Sequence, residues 1–139
     1  MTAKQYLEQY KDLTEKIRQL SIEIATLEAE YDSLSIDYSG MPHGSAMADR
    51  TASLATKVTD KKLLKIRLRD RAIDMRDEII RTIGRVEDPL HSRLLYDRYV
   101  LFMTWEQVAE DCDKSDKWCR TRLHSRALQS VKNILDSSL

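Results

Sequence analysis

A cationic segment near the C-terminus carries the side chains that commonly contact nucleic acids. Residues 113–132 include six Lys or Arg against two Asp. Arginine and lysine donate hydrogen bonds to phosphates and to guanine O6 and N7, and threonine can reach a base edge or a thymine methyl group. We therefore expect double-stranded DNA as the partner, contacted by Ser115, Lys117, Trp118, Arg120, Thr121, Arg122 and Arg126.

The spacing of apolar residues predicts how a helix would present these side chains. Cys119, Leu123 and Ala127 recur every four residues, so a helix over about 116–135 would bury them on one side. The opposite side would expose Lys117, Trp118, Thr121 and Ser125, with Arg120, Arg122, His124 and Arg126 at its flanks. Base contacts are expected from Lys117, Trp118, Thr121 and Arg122, and phosphate contacts from Ser115, Arg120 and Arg126.

The two tryptophans differ in how far they fit this assignment. Trp118 either stacks on sugar or base edges or packs against a helix predicted over Pro89–Tyr99. Trp105 lies at the start of a capped helix, where packing is the expected role.

Local signals predict the helices that precede the cationic segment. Thr104 and Gln107 form a capping box that starts a helix over Trp105–Cys112. Asp113 follows where a tight turn usually needs glycine, and aspartate tolerates the left-handed conformation better than most residues. Ser115 can then cap the next helix. Asp88 and Pro89 likewise mark the start of the helix over Pro89–Tyr99.

This order of elements resembles region four of bacterial sigma factors, a helix-turn-helix whose second helix enters the major groove. The resemblance rests on Leu95, Arg98-Tyr99, the segment 104–113 and Ala127-Leu128, within roughly the last 45 residues. Asp113 replaces the turn glycine, and Cys112 replaces a larger aliphatic residue. Residues 39–44 and 122–124 also make the chain similar to phage late-transcription activators of the RinA and ArpU type. That resemblance implies a phage-encoded transcription regulator without catalytic activity.

The N-terminal part predicts long helices, so we expect an all-α protein. Apolar residues from Tyr6 to Leu34 alternate at spacings of four and three, which is a heptad seam. A loop is expected at about 36–48, followed by a second long helix from about Asp49 to Ile83. We predict two domains, a long-helix hairpin over 1–84 and a helix-turn-helix over 85–139. The seam packs either on the second helix or, as a coiled coil, on a second copy in a homodimer.

The charge is neutral in total but unevenly distributed. Residues 1–48 carry four Lys or Arg against eight Asp or Glu, whereas residues 49–83 carry ten against six. The basic run from Lys57 to Arg71 is either a solvated helix face or a further contact for phosphate or a protein. Zero net charge supports a second hypothesis, an interaction protein that docks on RNA polymerase or another factor and has little DNA affinity. A small terminase subunit for DNA packaging is a third.

Several classes of site are not indicated. The sequence shows neither a nucleophile–base arrangement nor a glycine-rich phosphate loop, so we expect neither an enzyme nor a cofactor. Cys112 and Cys119 lie seven residues apart with His124 nearby, but they lack the close cysteine pair typical of zinc, so no metal is expected. Neither a secretory signal nor a membrane-length apolar run is visible, which favours the cytoplasm, that of a bacterial host if the protein is phage-encoded.

Overall fold

The structure, a computed structural model, describes residues 1–38 and 45–138. This part of the chain is helical and contains no β-strand, which confirms the all-α prediction. The helices are α1 (Ala3–Tyr38), α2 (Ser45–Gly84), α3 (Pro89–Tyr99), α4 (Trp105–Cys112), α5 (Asp116–Trp118) and α6 (His124–Ser137), with a π-helical turn (Cys119–Leu123) between the last two. None of the described helices is long and apolar enough to cross a membrane.

The two long helices extend further than the sequence predicted. α1 continues to Tyr38 and α2 begins at Ser45, so both enter the predicted loop of about 36–48. The rest of that predicted loop, residues 39–44, lies outside the described residues. Helical hydrogen bonding therefore runs past the last seam residue, Leu34, because no proline or glycine interrupts the chain before Gly40.

The chain divides into two compact units at positions that differ from the predicted domain boundary. Met1–Leu13 and Ala72–Leu139 form one, here called the C-terminal unit, and Thr14–Arg71 form the other, here called the helix-pair unit. Leu7, Ile79 and Ile83 belong to the same core as α3, α4 and α6. The ends of the long helices thus complete the C-terminal core, and the predicted domain boundary at residue 84 stays a prediction.

In the helix-pair unit, α1 packs antiparallel on α2. Leu20 and Ile24 of α1 and Leu54 of α2 are buried. Lys61 Nζ lies 2.9 Å from Glu23 Oε2, and Lys62 Nζ lies 2.6 Å from Glu28 Oε1. Leu20 and Ile24 of the heptad seam are therefore buried within one chain, and a homodimer through the seam stays a prediction.

Candidate nucleic-acid interface

The helices α3 and α4 begin at the caps that the sequence indicated. The Asp88 side chain accepts hydrogen bonds from the backbone N–H groups of Leu90 and His91. Thr104 and Gln107 form the reciprocal capping box, each side chain accepting from the other residue's backbone N–H. These bonds satisfy N–H groups that a helix start leaves without intrahelical partners, so they determine where each helix begins.

Asp113 makes the turn between α4 and α5 in the left-handed conformation. Its φ and ψ are 55° and 45°, and its N–H donates to the Glu110 carbonyl. The next N–H, that of Lys114, donates to the Ala109 carbonyl 3.1 Å away. The turn thus closes the end of α4, as predicted from an aspartate at this position.

Glycine at position 113 is expected to stabilise the protein, because a left-handed residue with a Cβ is strained and glycine is not. We expect Asp113→Gly to raise the free energy of unfolding by about 0.5 kcal/mol, and Asp113→Ala to lower it by about 1 kcal/mol. Urea unfolding measures both. A loss of stability in the glycine variant would instead assign the Asp113 carboxylate a stabilising contact of its own.

Ser115 caps the helical run that follows the turn. Its hydroxyl oxygen accepts from the Trp118 N–H at 3.1 Å, so the predicted cap is confirmed. The run, Asp116–Ser137, is composed of α5, the π-helical turn and α6, and is here called the C-terminal run. The sequence predicted one regular helix here and missed the π-helical turn.

The π-helical turn keeps one side of the C-terminal run on the core. Cys119, Leu123, Ala127 and Val131 are all buried, at spacings of four residues. Four residues of a regular α-helix turn by about 400°, so each step would rotate the buried side by about 40°. The N–H of His124 bonds to the Cys119 carbonyl five residues back, a wider turn that reverses part of this rotation.

Most predicted DNA contacts are exposed on the C-terminal run. Lys117, Arg120, Thr121, Arg122 and Arg126 are exposed, and so is Ser115 at its cap. Arg120 Nε lies 3.7 Å from an Asp116 carboxylate oxygen, an exposed pair that water weakens. The Thr121 hydroxyl donates to the Lys117 carbonyl at 2.6 Å, which leaves its oxygen free to accept. These cations and one hydroxyl thus lie along one short stretch of helix.

Trp118 differs from the other predicted contacts because it is half-buried against the core. The Lys114 ammonium lies 5.6 Å from the centre of its ring, at cation–π distance. Trp105 is also half-buried, and the Arg98 guanidinium lies 4.6 Å over its ring. Both tryptophans therefore take part in packing, and Trp118 keeps an exposed fraction beside the cations.

His124 points inward, whereas the sequence predicted it at a flank of the exposed side. Its Nε2 lies 2.6 Å from the Tyr99 hydroxyl, and its ring meets the edge of Trp105 at 4.8 Å between centroids. Burial, with smaller effects of Lys4 and Arg98, lowers its pKa to about 4. The imidazole is therefore neutral at physiological pH and joins the C-terminal run to α3 and α4.

Sequence reasoning missed a carboxyl pair that links α3 and α4. Asp97 is 5% exposed, and Asp111 beside it receives two hydrogen bonds of 2.9 Å from Arg93. Burial and the hydrogen bond to Asp111 raise the pKa of Asp97 to about 7. The hydrogen bonds from Arg93, above all, lower the pKa of Asp111. The burial of Asp97 could have been predicted, because Asp97 lies on the same side of α3 as the apolar Leu94.

Cysteine and carboxylate atoms lie close together here, but they are not the residues Cys112, Cys119 and His124 that the sequence analysis considered as a zinc site. Donor atoms of Asp97, Asp111 and Cys112 lie within 4.8 Å of one another. Arg93 occupies both oxygens of Asp111, and burial raises the pKa of the Cys112 thiol to about 11. The Arg93 guanidinium thus already supplies a positive charge to this cluster. Cys112 acts as a core residue.

Comparison with known proteins adds little to this site. A family model described as a domain of unknown function (DUF1843) matches residues 1–29. That stretch covers most of α1 and contains none of the candidate DNA contacts. No curated protein and no solved structure matches the chain. The match covers too little of the chain to assign a family, so the candidate interface is supported by its own residues.

Proposed function

We propose that the protein is a sequence-specific regulator of transcription that binds double-stranded DNA. In this proposal α4 and the C-terminal run act as a helix-turn-helix, and the capped start of the run enters the major groove. The observation that carries it is the exposure of Lys117, Arg120, Thr121 and Arg122 on the run that follows the left-handed turn at Asp113.

The chemistry of the exposed residues supports separate roles in DNA recognition. Lys117, Thr121 and Arg122, with the exposed part of Trp118, would meet base edges. Ser115, Arg120 and Arg126 would hold phosphates, which position a protein without reading sequence. Neither the neutral total charge nor the acidic α1 argues against this, because phosphate responds to the local surface.

The kind of regulator rests on resemblance alone. Similarity to sigma region four supports the helix-turn-helix, and similarity to the RinA and ArpU activators supports a phage gene acting in the cytoplasm of a bacterial host. The second candidate, a protein that docks on RNA polymerase or another factor, is supported by the neutral total charge. The two candidates differ in whether the purified protein binds DNA by itself.

Binding of fluorescent duplex DNA over a series of salt concentrations tests the proposal. Wild-type affinity is expected to fall linearly with salt on logarithmic axes, because bound cations displace counterions from phosphate. Arg122→Ala, at a proposed base contact, is expected to lose about tenfold in affinity.

Lys132→Ala is the matched control for charge. Lys132 is also exposed on the C-terminal run, about 15 Å further along it than Arg122, so its loss is expected to change affinity less than twofold. Absence of wild-type binding at low salt, even to pooled DNA of the source genome, would exclude DNA recognition and leave the docking candidate.

A further inference from the structure

One flank of the helix-pair unit forms a continuous groove between α1 and α2. Two adjoining stretches of it share Glu28 and Lys62. Small residues occur along it, namely Ser21 and Ala25 on α1 and Ala55 on α2. Ile66 lines the same groove and is 55% exposed. An open groove with small residues and a protruding isoleucine admits the close approach of another helix.

The two sides of this groove have opposite charge. Residues 14–38 of α1 carry six Asp or Glu against two Lys or Arg, and residues 45–71 of α2 carry eight Lys or Arg against three Asp. Glu28 and Asp32 line the α1 side, whereas Lys62, Lys65 and Arg69 line the α2 side. Glu28 and Lys62 pair with each other at 2.6 Å where the two stretches of the groove meet. Asp32 on the α1 side, and Lys65 and Arg69 on the α2 side, form no ion pair with one another in the described part of the unit, so they are the charges that a partner can meet.

We infer that a second copy of this chain covers the groove, with α1 of each copy lying on α2 of the other. The copies are related by a two-fold axis parallel to the helices. Because that rotation preserves helix direction, every neighbouring pair of helices is antiparallel, as in a four-helix bundle. The inference concerns the helix-pair unit alone and does not depend on DNA binding.

Charge selects this axis over the alternative. A two-fold axis perpendicular to the helices would stack α1 on α1 and α2 on α2, which brings together acidic with acidic and basic with basic sides. The parallel axis places each acidic side against a basic side, and such complementarity fixes register and excludes the wrong pairing.

The same rotation brings exposed apolar residues of the two copies into contact. Ser21 and Ala25 line the groove together with Ile66, so these residues lie at one level along the helices. Rotation about a parallel axis keeps that level, and it therefore sets the exposed Ala25 of one copy against Ile66 of the other.

Sedimentation equilibrium without DNA measures the oligomeric state. The wild type is expected at twice the chain mass of 16.2 kDa. Ile66→Glu, which sets a carboxylate in the apolar centre of the contact, is expected to weaken dimerisation at least tenfold. Leu64→Glu is the matched control, since Leu64 is similarly exposed, at 45%, but lies on the other flank of α2 and should leave the dimer unchanged.

Disulfide trapping tests the pairing itself. Protein with Ala25→Cys mixed with protein carrying Ile66→Cys is expected to give a covalent dimer on a non-reducing gel, while each variant by itself gives little. Circular dichroism verifies that each variant is folded. Covalent dimers from either variant by itself, or an equal effect of Leu64→Glu, would overturn the proposed pairing.

The mass also separates other occupants of the groove. A monomeric wild type overturns the inference and leaves the groove to a different protein, whereas a mass well above two copies overturns the closed pair and favours a ring. Because no DNA is present, failure of the DNA-binding proposal leaves these results unchanged.

Discussion

Asparagine at position 97 is expected to stabilise the protein at pH 8 and to leave its stability nearly unchanged at pH 4. Burial raises the pKa of Asp97 from 3.8 to about 7. The folded protein thus holds a proton that the unfolded chain releases above about pH 4, so stability falls as the pH rises from 4 to 7. Asparagine has no proton to lose, and its amide can donate to Asp111 as the protonated carboxyl does.

The expected gain at pH 8 is about 2 kcal/mol. A pKa difference of this size corresponds to about 4 kcal/mol, and we take half because local relaxation and water penetration reduce the cost of the ionised form in the folded protein. Urea unfolding followed by fluorescence reports the C-terminal unit, where Trp105 and Trp118 lie.

Asp111→Asn is the control for the Asp97 variant. It removes the carboxylate that receives both hydrogen bonds from Arg93, so it should destabilise the protein on both sides of pH 7. Equal destabilisation of Asp97→Asn at pH 5 and pH 8 would contradict a protonated Asp97.

His124 is expected to produce the opposite dependence on pH. Burial lowers its pKa from 6.5 to about 4, so between these values the unfolded chain binds a proton that the folded protein does not. Stability is therefore lost as the pH falls from 6.5 to 4, by about 2–3 kcal/mol. In the wild type this loss is partly masked by Asp97, whose contribution increases over the same interval.

The Asp97→Asn background removes that masking. In this background, stability should fall visibly between pH 6.5 and 4, and adding His124→Gln should flatten the curve. Glutamine is also expected to cost about 1 kcal/mol at pH 7, because it loses the ring contacts with Tyr99 and Trp105. If the double variant still loses the full stability between pH 6.5 and 4, groups other than His124 cause that loss.

The proposed DNA contacts and the buried core residues lie on opposite sides of the C-terminal run. The inner side carries the buried apolar residues and His124, and the outer side carries the exposed cations. Substitutions such as Arg122→Ala are therefore expected to change DNA affinity with little loss of stability, whereas substitutions at His124 change stability first. This separation makes the salt dependence of binding a clean test of the proposed function.

By itself, the sequence determined the features that depend on neighbouring residues. The caps at Asp88, Thr104 and Ser115 and the left-handed turn at Asp113 involve contacts within about four residues. Such bonds satisfy N–H groups at helix starts whatever the helix packs against, so they can be predicted without the tertiary structure. The buried side of the C-terminal run was predicted for the same reason, from the periodicity of Cys119, Leu123 and Ala127.

Only the tertiary structure decided features that depend on which helices meet. The ends of α1 and α2 join the C-terminal core, and His124 turns toward Tyr99 of α3. Asp97 is buried in a protonated form beside Asp111, which α4 brings to α3 and whose carboxylate Arg93 holds. A periodic pattern shows that one side of a helix is buried, but it does not show which element covers that side. A polar residue is accommodated on a buried side only when residues distant in sequence provide its hydrogen-bond partners.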